Sequence, residues 1–316
     1  MSTFAKLIEA YREDCLAREM SPSTVVGKLG MVRVFAGWCL ANGVANPKAV
    51  TLKTLEDYRK HLYQHHKRRD GRPIDVPTRR NHLTAVTVFL RRLKRLGHLA
   101  KDPGAEFEMP RVERRLTQVW LTEDEAATVC KQAALNGRRG VRDVAMLEVL
   151  FATGVRRIEL VRLDIKDVDF EARTLKVRKG KGGHSRYVPI AERACEAIKR
   201  YLAEVRPELV TLQSGQALFL DNRGNRFRVQ QASRLVGRYV ALSGVQKRGA
   251  CNLFRHSTAT LMLENGADIR HIQKMLGHRH IGTTEIYTHV AIGSLKKVYA
   301  NTHPAARRSG GAPAVM

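Results

Sequence analysis

Apolar side chains recur at helical spacing through the first hundred residues, and this periodicity predicts a domain of packed helices. Ser21-Pro22-Ser23 is expected to open the second helix, while Thr78 would cap the fourth and Gly97 would end it. The four stripes are Phe4, Ile8, Tyr11 and Cys15; Val25, Leu29, Val32, Ala36 and Cys39; Leu52, Leu55, Tyr58 and Leu62; and Leu83, Val86, Leu90 and Leu93.

A break in this pattern predicts a second domain. Pro103, Gly104 and Pro110 interrupt any helix between Lys101 and Gln118. A chain of 316 residues is long enough for two domains that each bury a core. We expect a helical domain at 1–105, a linker at 106–118, a second domain at 119–304 and a flexible tail at 305–316.

The second domain combines helices with a few strands. Thr122 and Glu125 have the spacing of a capping box, which indicates a helix start. The fold class is therefore predicted as mainly α with a small β-sheet. The other predicted elements are a buried helix at Val141–Ala152, strands at Thr174–Arg178 and Arg186–Ile190 joined by the turn Gly180–Gly183, and helices from Gln230 onward that end at Gly244, Asn265-Gly266 and Gly277.

The net charge of +26 indicates a polyanionic partner, either nucleic acid or an anionic membrane, with general solubility as the other explanation. Both predicted domains carry the basic excess, which suits two folded parts facing one long polyanion. A membrane span is disfavoured because no apolar run approaches the roughly 20 residues that it requires. The N-terminus shows no signal-like segment, so a cytoplasmic protein is expected.

Neither the cysteines nor the histidines have the spacing of a metal site. His61 and His65 lie one helical turn apart but lack Cys or carboxylate partners, so a solvated helix face explains them. The scattered cysteines include no CxxC pair and are expected to be buried free thiols. They are Cys15, Cys39, Cys130, Cys195 and Cys251.

Four segments of the second domain occur in an order typical of one enzyme family. They are Ala152–Leu160, with Arg156; Leu253–Thr260, with Arg255; Leu276-Gly277-His278; and Ile286–Val290, with Tyr287. In these motifs the chain resembles the tyrosine recombinases, most of all the Xer group, and the likeness extends over essentially the whole chain. It implies a helical, SAM-like core-binding N-terminal domain and a mixed α/β catalytic domain.

The resemblance implies that Arg156 and Arg255 clamp the scissile phosphate of DNA. A phosphodiester under attack gathers charge on its non-bridging oxygens, and a guanidinium offers paired donors that stay charged at physiological pH. Glu159, one helical turn beyond Arg156, resembles the family's supporting acid. A lone arginine in so basic a chain would be explained as surface charge, so the assignment depends on the motifs together.

Tyr287 resembles the family's nucleophile. Its phenol has an ordinary pKa of about 10, so attack at neutral pH requires a proton acceptor. The covalent 3′-phosphotyrosine conserves the energy of the broken bond, and no ATP, metal or other cofactor is expected. A tyrosine on a helix usually serves core packing, but the neighbouring His278 favours catalysis here.

Other roles also follow from the resemblance. Lys181, in its glycine-flanked turn, would protonate the departing 5′ oxygen, although Lys179 is close enough in sequence to be confused with it. His278 would donate a hydrogen bond to the phosphate. His256 and His289 are either polar supports of the site or structural histidines.

Asn252 departs from the family pattern, which usually has histidine three residues before Arg255. An amide cannot take up a proton near neutrality. Our hypothesis is that Asn252 orients the phosphate while a water, a DNA oxygen or a nearby histidine accepts the tyrosine proton. The departure also leaves open a DNA-binding relative with weakened catalysis. A metal-dependent nuclease is a third possibility, but the chain lacks clustered carboxylates.

Basic residues of the first domain are candidates for contacts with the DNA backbone, although solvated surface charge explains each of them equally well. They lie in the loop between His65 and Asp75 and on the helix that follows it: Lys67, Arg68, Arg69, Arg79, Arg80, Arg91 and Arg92.

The resemblance further implies an assembly on double-stranded DNA. Both domains would form a C-shaped clamp, and four copies, of this chain alone or together with a related recombinase, would exchange strands through a Holliday junction. The segment Ala291–His303 would dock on a neighbouring subunit or pack on its own. We expect no arm-binding domain ahead of the core-binding helices and thus a compact site, used in integration and excision or in resolution of dimers or cointegrates.

Overall fold

The computed structural model describes residues 3–65, 71, 73–111, 119–178 and 185–277. Contacts divide the chain into two compact units, Met1–Arg114 and Arg115–Met316. Helices make up most of the described residues, and a three-stranded sheet lies in the second unit. The predicted fold class, mainly α with a small sheet, is confirmed.

The first unit is built from helices whose apolar stripes meet in one core. Its elements are α1 Thr3–Ala17, α2 Pro22–Ala41, α3 Leu52–Gln64 and α4 Val76–Arg95, with a 3₁₀ turn at Pro47–Ala49. The predicted stripes are buried, and Phe35 and Phe89 join them. Leu52 is the exception, because it is the first residue of α3 and stays 37% exposed. Its prediction as part of the buried stripe is wrong.

Helix α4 begins earlier than predicted. Asp75 caps it from an extended backbone, and its Oδ1 accepts a hydrogen bond from the Thr78 backbone N–H at 2.9 Å. Thr78 therefore lies inside the first turn, and its prediction as the cap is wrong. The helix can begin before Thr78 because its first turn tolerates Pro77, since the N–H groups of a first turn have no partner within the helix.

Helix α2 corrects the expectation about membrane spans. By length and composition alone it could cross a membrane, so the statement that no apolar run approaches that length is wrong. The core helix of a soluble protein can have the same length and composition. Val32, Phe35 and Cys39 of α2 are fully buried in the core of the first unit, which explains part of the apolar character of the helix without a bilayer. Val26, Val34 and Leu40 of the same helix are exposed.

The second unit places its helices around a small antiparallel sheet. The sheet has the order β1-β2-β3, and Leu175 lies opposite Val188 in its buried face. The elements are α5 Glu123–Ala134, α6 Gly137–Thr153, α7 Arg157–Arg162, β1 Val168–Asp169, β2 Thr174–Val177, β3 Arg186–Pro189, α8 Glu192–Glu204, α9 Arg206–Leu209, α10 Val229–Leu242, α11 Cys251–Glu264 and α12 Ile269–Leu276, with a 3₁₀ turn at Ile165–Asp167.

Most local predictions for this unit are confirmed. Thr122 and Glu125 form the capping box of α5, α6 covers the predicted buried helix, and β2 pairs with β3. Gly244, Gly266 and Gly277 follow helices with positive φ. The five cysteines are buried and free. The predicted Gly180–Gly183 turn lies outside the described residues.

The described part of the linker region, residues 101–111, contains no helix. Phe107 is buried and Met109 packs beside it against the core of the first unit. Residues 112–118 and the predicted tail 305–316 lie outside the described residues. The domain limits 1–105 and 119–304 stay a prediction.

Candidate active site

The first motif forms the turn between α6 and α7. Gly154 ends α6 with φ 58°, and a Cβ at this position would lie 2.7 Å from Leu276 Cδ2. Glycine alone satisfies both the left-handed turn and this close approach. Arg156 then caps α7, so the turn sets the direction in which its side chain leaves the backbone.

Glu159, in the first turn of α7, is held by two arginines. Its Oε2 accepts a hydrogen bond from the Arg156 backbone N–H at 2.8 Å, and its Oε1 accepts one from Arg156 Nη1 at 3.0 Å. Arg186, the first residue of β3, donates from Nη1 to Oε1 at 3.0 Å and from Nη2 to Oε2 at 2.9 Å. Burial raises the pKa of Glu159, but the bonds from Arg186 and Arg156 bring it below its ordinary value. The carboxylate is therefore charged at neutral pH.

Arg255 reaches the same place from α11. It is 6% exposed, donates from Nη1 to the Gly154 carbonyl at 2.6 Å, and donates from Nη2 to the Leu276 carbonyl at 2.8 Å. Thr258, one turn further along α11, donates to the Phe151 carbonyl at 2.7 Å. These bonds fasten α11 to the end of α6, so the two sequence motifs that contain Arg156 and Arg255 are neighbours in space.

Three arginines from separate segments donate to consecutive carbonyls at the C-terminal end of α12. Each bond measures 2.8 Å: Arg186 Nε to Met275, Arg255 Nη2 to Leu276 and Arg156 Nη2 to Gly277. We call these three arginines and three carbonyls the α12 clasp. The last carbonyls of a helix lack partners within it and carry partial negative charge, which explains why cations gather there.

Among the described residues the clasp carries more positive than negative charge, since two of its guanidinium groups share the carboxylate of Glu159 and that of Arg255 binds carbonyls. Its arginines are largely withdrawn from water, with side-chain exposures of 22% for Arg156 and 14% for Arg186. Donors held in fixed positions away from water suit an anion that gains charge during a reaction. The geometry therefore fits the handling of a phosphate.

Comparisons with known proteins identify the family of this chain. A family model described as the phage integrase family matches residues 119–293, more than half of the chain. Tyrosine recombinase XerC 2 of Ralstonia nicotianae is 37% identical over 300 residues, which are 95% of this chain and 86% of that protein. The chain belongs to the phage integrase family. It is a tyrosine recombinase, an enzyme of site-specific DNA recombination, and the resemblance inferred from its motifs is confirmed.

Two further relatives support this placement. Tyrosine recombinase XerC of Mycobacterium leprae is 42% identical to this recombinase over 229 residues, 71% of this chain and 76% of the relative. The crystal structure of XerH bound to a palindromic difH substrate, a post-cleavage complex, matches with a TM-score of 0.70 at 19% identity. That match covers 90% of this chain and 81% of the other and shows a common fold.

Asn252 and His256 lie on α11 on either side of Arg255. Asn252 is exposed and lies one helical turn before Arg255, so both project from the same side of the helix. His256 is partly buried, and burial together with the charge of Arg255 lowers its pKa. A neutral imidazole is therefore the favoured form of His256.

Several predicted residues of the recombinase lie outside the described residues, so their assignments stay predictions. They are Lys179, Lys181, His278, Tyr287, His289, the segment Ala291–His303, and Lys67, Arg68 and Arg69 of the basic loop.

The four arginines predicted to contact DNA from α4 all have protein partners. Arg79 lies over the Tyr63 ring at 5.0 Å, and Arg80 Nη1 donates to the Pro110 carbonyl at 2.9 Å. Arg91 pairs with Asp102 at 3.4 Å. Arg92 Nε donates to Asp14 Oδ2 at 2.7 Å, and the side chain is 25% exposed. The Arg92 ion pair joins α4 to α1, and its side chain is less accessible to a phosphate backbone than that of Arg91, which is 55% exposed.

Two groups of arginines were not singled out from the sequence. The first consists of Arg186 alone, since no neighbouring residue in the sequence indicates its bond to a glutamate on α7. The second lines a cavity of about 860 Å³ beside α10. Arg228, Arg234 and Arg238 are exposed there, and we call them the α10 arginines. A signal existed, because Arg234 and Arg238 lie four residues apart on one helix face.

Proposed function

We propose that this recombinase cuts and rejoins DNA through a 3′-phosphotyrosyl intermediate at Tyr287. The α12 clasp carries the proposal, because it brings Arg156 and Arg255 together beside a charged Glu159 with positive charge in excess. The two guanidinium groups bind the non-bridging oxygens of the scissile phosphate. Their donors are held in place before the substrate arrives, so little reorganisation is needed as charge builds up on the phosphorus oxygens.

The reaction needs two proton transfers. The Tyr287 oxygen forms a bond to phosphorus and gives up its proton, while the bond from phosphorus to the 5′ oxygen breaks and that oxygen takes a proton from Lys181. His278 donates a hydrogen bond to the phosphate. Reversal of the same steps with a different 5′ end rejoins the strands, and the phosphotyrosyl bond supplies the energy.

Asn252 orients the phosphate in this scheme, and a water, a DNA oxygen or a nearby histidine accepts the proton of Tyr287. Its exposed position one turn before Arg255 supports the role, since its amide projects from the side of α11 that bears the phosphate-binding arginine. We expect Asn252→Ala to slow cleavage without weakening DNA binding. A variant with the wild-type cleavage rate would remove Asn252 from the mechanism.

The α10 arginines and the basic residues of the first unit supply the contacts with the DNA backbone. Exposed guanidinium groups lining one cavity offer several charges to successive phosphates. Behind them α10 is fixed by a buried bond, in which the Tyr239 hydroxyl donates to Asp143 Oδ2 at 2.6 Å. Burial and Asp143 raise the pKa of Tyr239 to about 12, so its hydroxyl stays protonated and continues to donate.

Four copies, of this chain alone or with a related recombinase, act on two sites in the cytoplasm and exchange strands through a Holliday junction. The 37% identity to a XerC protein supports an activity in which recombination resolves dimers or cointegrates, or integrates and excises a mobile element. The segment Ala291–His303 joins neighbouring copies in this assembly.

The test uses nicked duplexes tiled across the DNA that surrounds the protein's own gene. A nick beside the cut site lets the short fragment that carries the new 5′ hydroxyl diffuse away, so a cleaving enzyme stays covalently attached to the 3′ phosphate. We expect adducts with the wild-type protein and with Tyr187→Phe, which alters an exposed tyrosine of β3, but none with Tyr287→Phe. Adducts should also survive excess chelator. Tight DNA binding without any adduct would instead indicate a DNA-binding relative that has lost catalysis.

A further inference from the structure

We propose that Arg186 is a positioning residue of the recombination reaction: it binds the carboxylate of Glu159 so that Arg156 keeps its charge and donors for the scissile phosphate. The inference rests on the proposed function and adds a residue that the motifs do not contain. Arg186 lies on β3, 27 positions from Glu159 in the chain, and reaches it only through the fold.

Glu159 has two possible partners, and the geometry divides it unequally between them. Arg186 binds both carboxylate oxygens from its two terminal nitrogens, the fork geometry that makes arginine pairs with carboxylates strong. The Arg156 side chain binds one oxygen through Nη1. The other side-chain bond of Arg156 goes from Nη2 to the Gly277 carbonyl, a neutral acceptor that a charged phosphate can replace.

The sharing of Glu159 between the two arginines determines how much positive charge remains for a phosphate. With Arg186 present, two guanidinium groups face one buried carboxylate, and one positive charge is left over. Without it, Arg156 and Glu159 would form a neutral pair at a carboxylate that is 3% exposed, where water screens the attraction poorly. Arg156 would then be drawn fully onto Glu159, and its attraction for a phosphate would fall. Arg186 prevents this by occupying the acid.

Arg186 also fixes the end of α12. Its Nε donates to the Met275 carbonyl at 2.8 Å, and a Cβ on Gly277 would lie 3.1 Å from its guanidinium carbon. All three nitrogens of Arg186 are thus engaged, and its side chain is 14% exposed. These contacts favour a residue that acts through Glu159 and α12 over one that touches the phosphate itself.

The experiment compares Arg186→Met, Arg186→Lys, Glu159→Gln and the double variant Glu159→Gln/Arg186→Met. Cleavage is measured in single turnovers on the nicked substrate at saturating protein, and DNA affinity is measured separately. Arg200→Met is the matched control, because Arg200 lies on α8, pairs with Glu204 and is 65% exposed.

We expect Arg186→Met to cleave about 10- to 100-fold more slowly, as when a partner that orients a metal ligand is removed from an enzyme, with unchanged DNA affinity. Arg186→Lys should recover part of the rate, because it keeps the charge but not the fork. The double variant should cleave faster than Arg186→Met alone, since removing the charge of Glu159 releases Arg156 again. It also carries no unpaired buried carboxylate, so it tests the idea even where Arg186→Met folds poorly.

Two results would overturn the proposal. One is an Arg186→Met protein that folds and cleaves at the wild-type rate. The other is a double variant no faster than Arg186→Met, or slower, which would assign Arg186 a purely structural role. Failure of the proposed function would give a different result, in which the wild-type protein itself forms no adduct through Tyr287.

Discussion

The second unit uses arginine in two different ways, in the α12 clasp and along α10. In the clasp, Arg255 is 6% exposed and bonded to two carbonyls, and its neighbours are held by backbone oxygens and Glu159. Along α10, Arg234 and Arg238 are exposed and line an open cavity. Both regions contribute to the same net charge of +26. Net charge therefore indicates a polyanionic partner, whereas the hydrogen-bond partners of each arginine separate the residues proposed for the reaction from those proposed for DNA binding.

The physical difference lies in preorganisation. A guanidinium fixed by neighbours presents donors at set positions, so it can stabilise charge that develops only in a transition state. An exposed guanidinium moves freely and attracts the phosphate backbone in the same way before and during the reaction. Variants in the clasp should alter the cleavage rate, and variants on α10 should alter affinity and its dependence on salt.

The largest expected effect comes from Arg255→Lys. Lysine keeps the charge, but it cannot donate to the Gly154 and Leu276 carbonyls in the same fork. We predict a loss of about 10²- to 10³-fold in the single-turnover cleavage rate, as for removal of one transition-state donor, with DNA affinity nearly unchanged. An equal loss of DNA affinity and cleavage rate would contradict the distinction between the α12 clasp and α10.

The opposite pattern is predicted for Arg234→Ala/Arg238→Ala. DNA affinity should fall roughly 10-fold at moderate salt, and the slope of log K against log salt should decrease by about 2 for two lost phosphate contacts. Cleavage at saturating protein should stay close to wild type. Titrations at several salt concentrations check this, with Arg200→Ala on α8 as the control. An unchanged slope would show that α10 does not face the phosphates.

A smaller effect is expected where α10 is fastened to the core. Tyr239→Phe removes the donor to Asp143, which is fully buried. We predict a loss of about 1–3 kcal/mol in the free energy of unfolding in urea, because the buried carboxylate loses one donor while Arg142 still binds its Oδ1. Tyr187→Phe, at a 67% exposed tyrosine, should change it by less than about 0.5 kcal/mol. Equal stabilities for the two variants would mean that the bond does not hold α10.

The smallest effect is the pH dependence contributed by Glu159. Its pKa in the folded protein lies below the ordinary value of 4.5, so its ionised form stabilises the fold above that pH. The stabilisation is lost as pH falls through the folded pKa. The difference in unfolding free energy between wild type and Glu159→Gln should be constant near neutrality and shrink in acid. Urea titrations at several pH values measure it, and a difference that persists or grows in acid would contradict the charged assignment.

The sequence predicted what depends on short-range pattern. The helical stripes around Tyr11 and Leu90 were found because a helix repeats its buried face every few residues, and the capping box at Thr122 depends on residues three apart. The start of α4 was misplaced at Thr78 because Asp75 competes for the same role and the choice depends on the backbone before Pro77.

Short-range sequence patterns predicted only part of the site. Arg156, Glu159 and Arg255 were selected through their motifs, and the structure brings them together. Arg186 was missed, because its bond to Glu159 depends on how β3 packs beside α7, which no local pattern encodes. The α10 arginines were missed for a related reason, since their exposure depends on which face of α10 the core covers.

A structure of the covalent complex trapped on nicked DNA tests the central claim most directly. We predict guanidinium nitrogens of Arg156 and Arg255 within about 3 Å of the phosphate joined to Tyr287, with Arg186 still bound to Glu159. The account is contradicted if the attacked phosphate is held by Arg234 and Arg238 without contact to Arg156 or Arg255, or if the DNA is joined to a different residue.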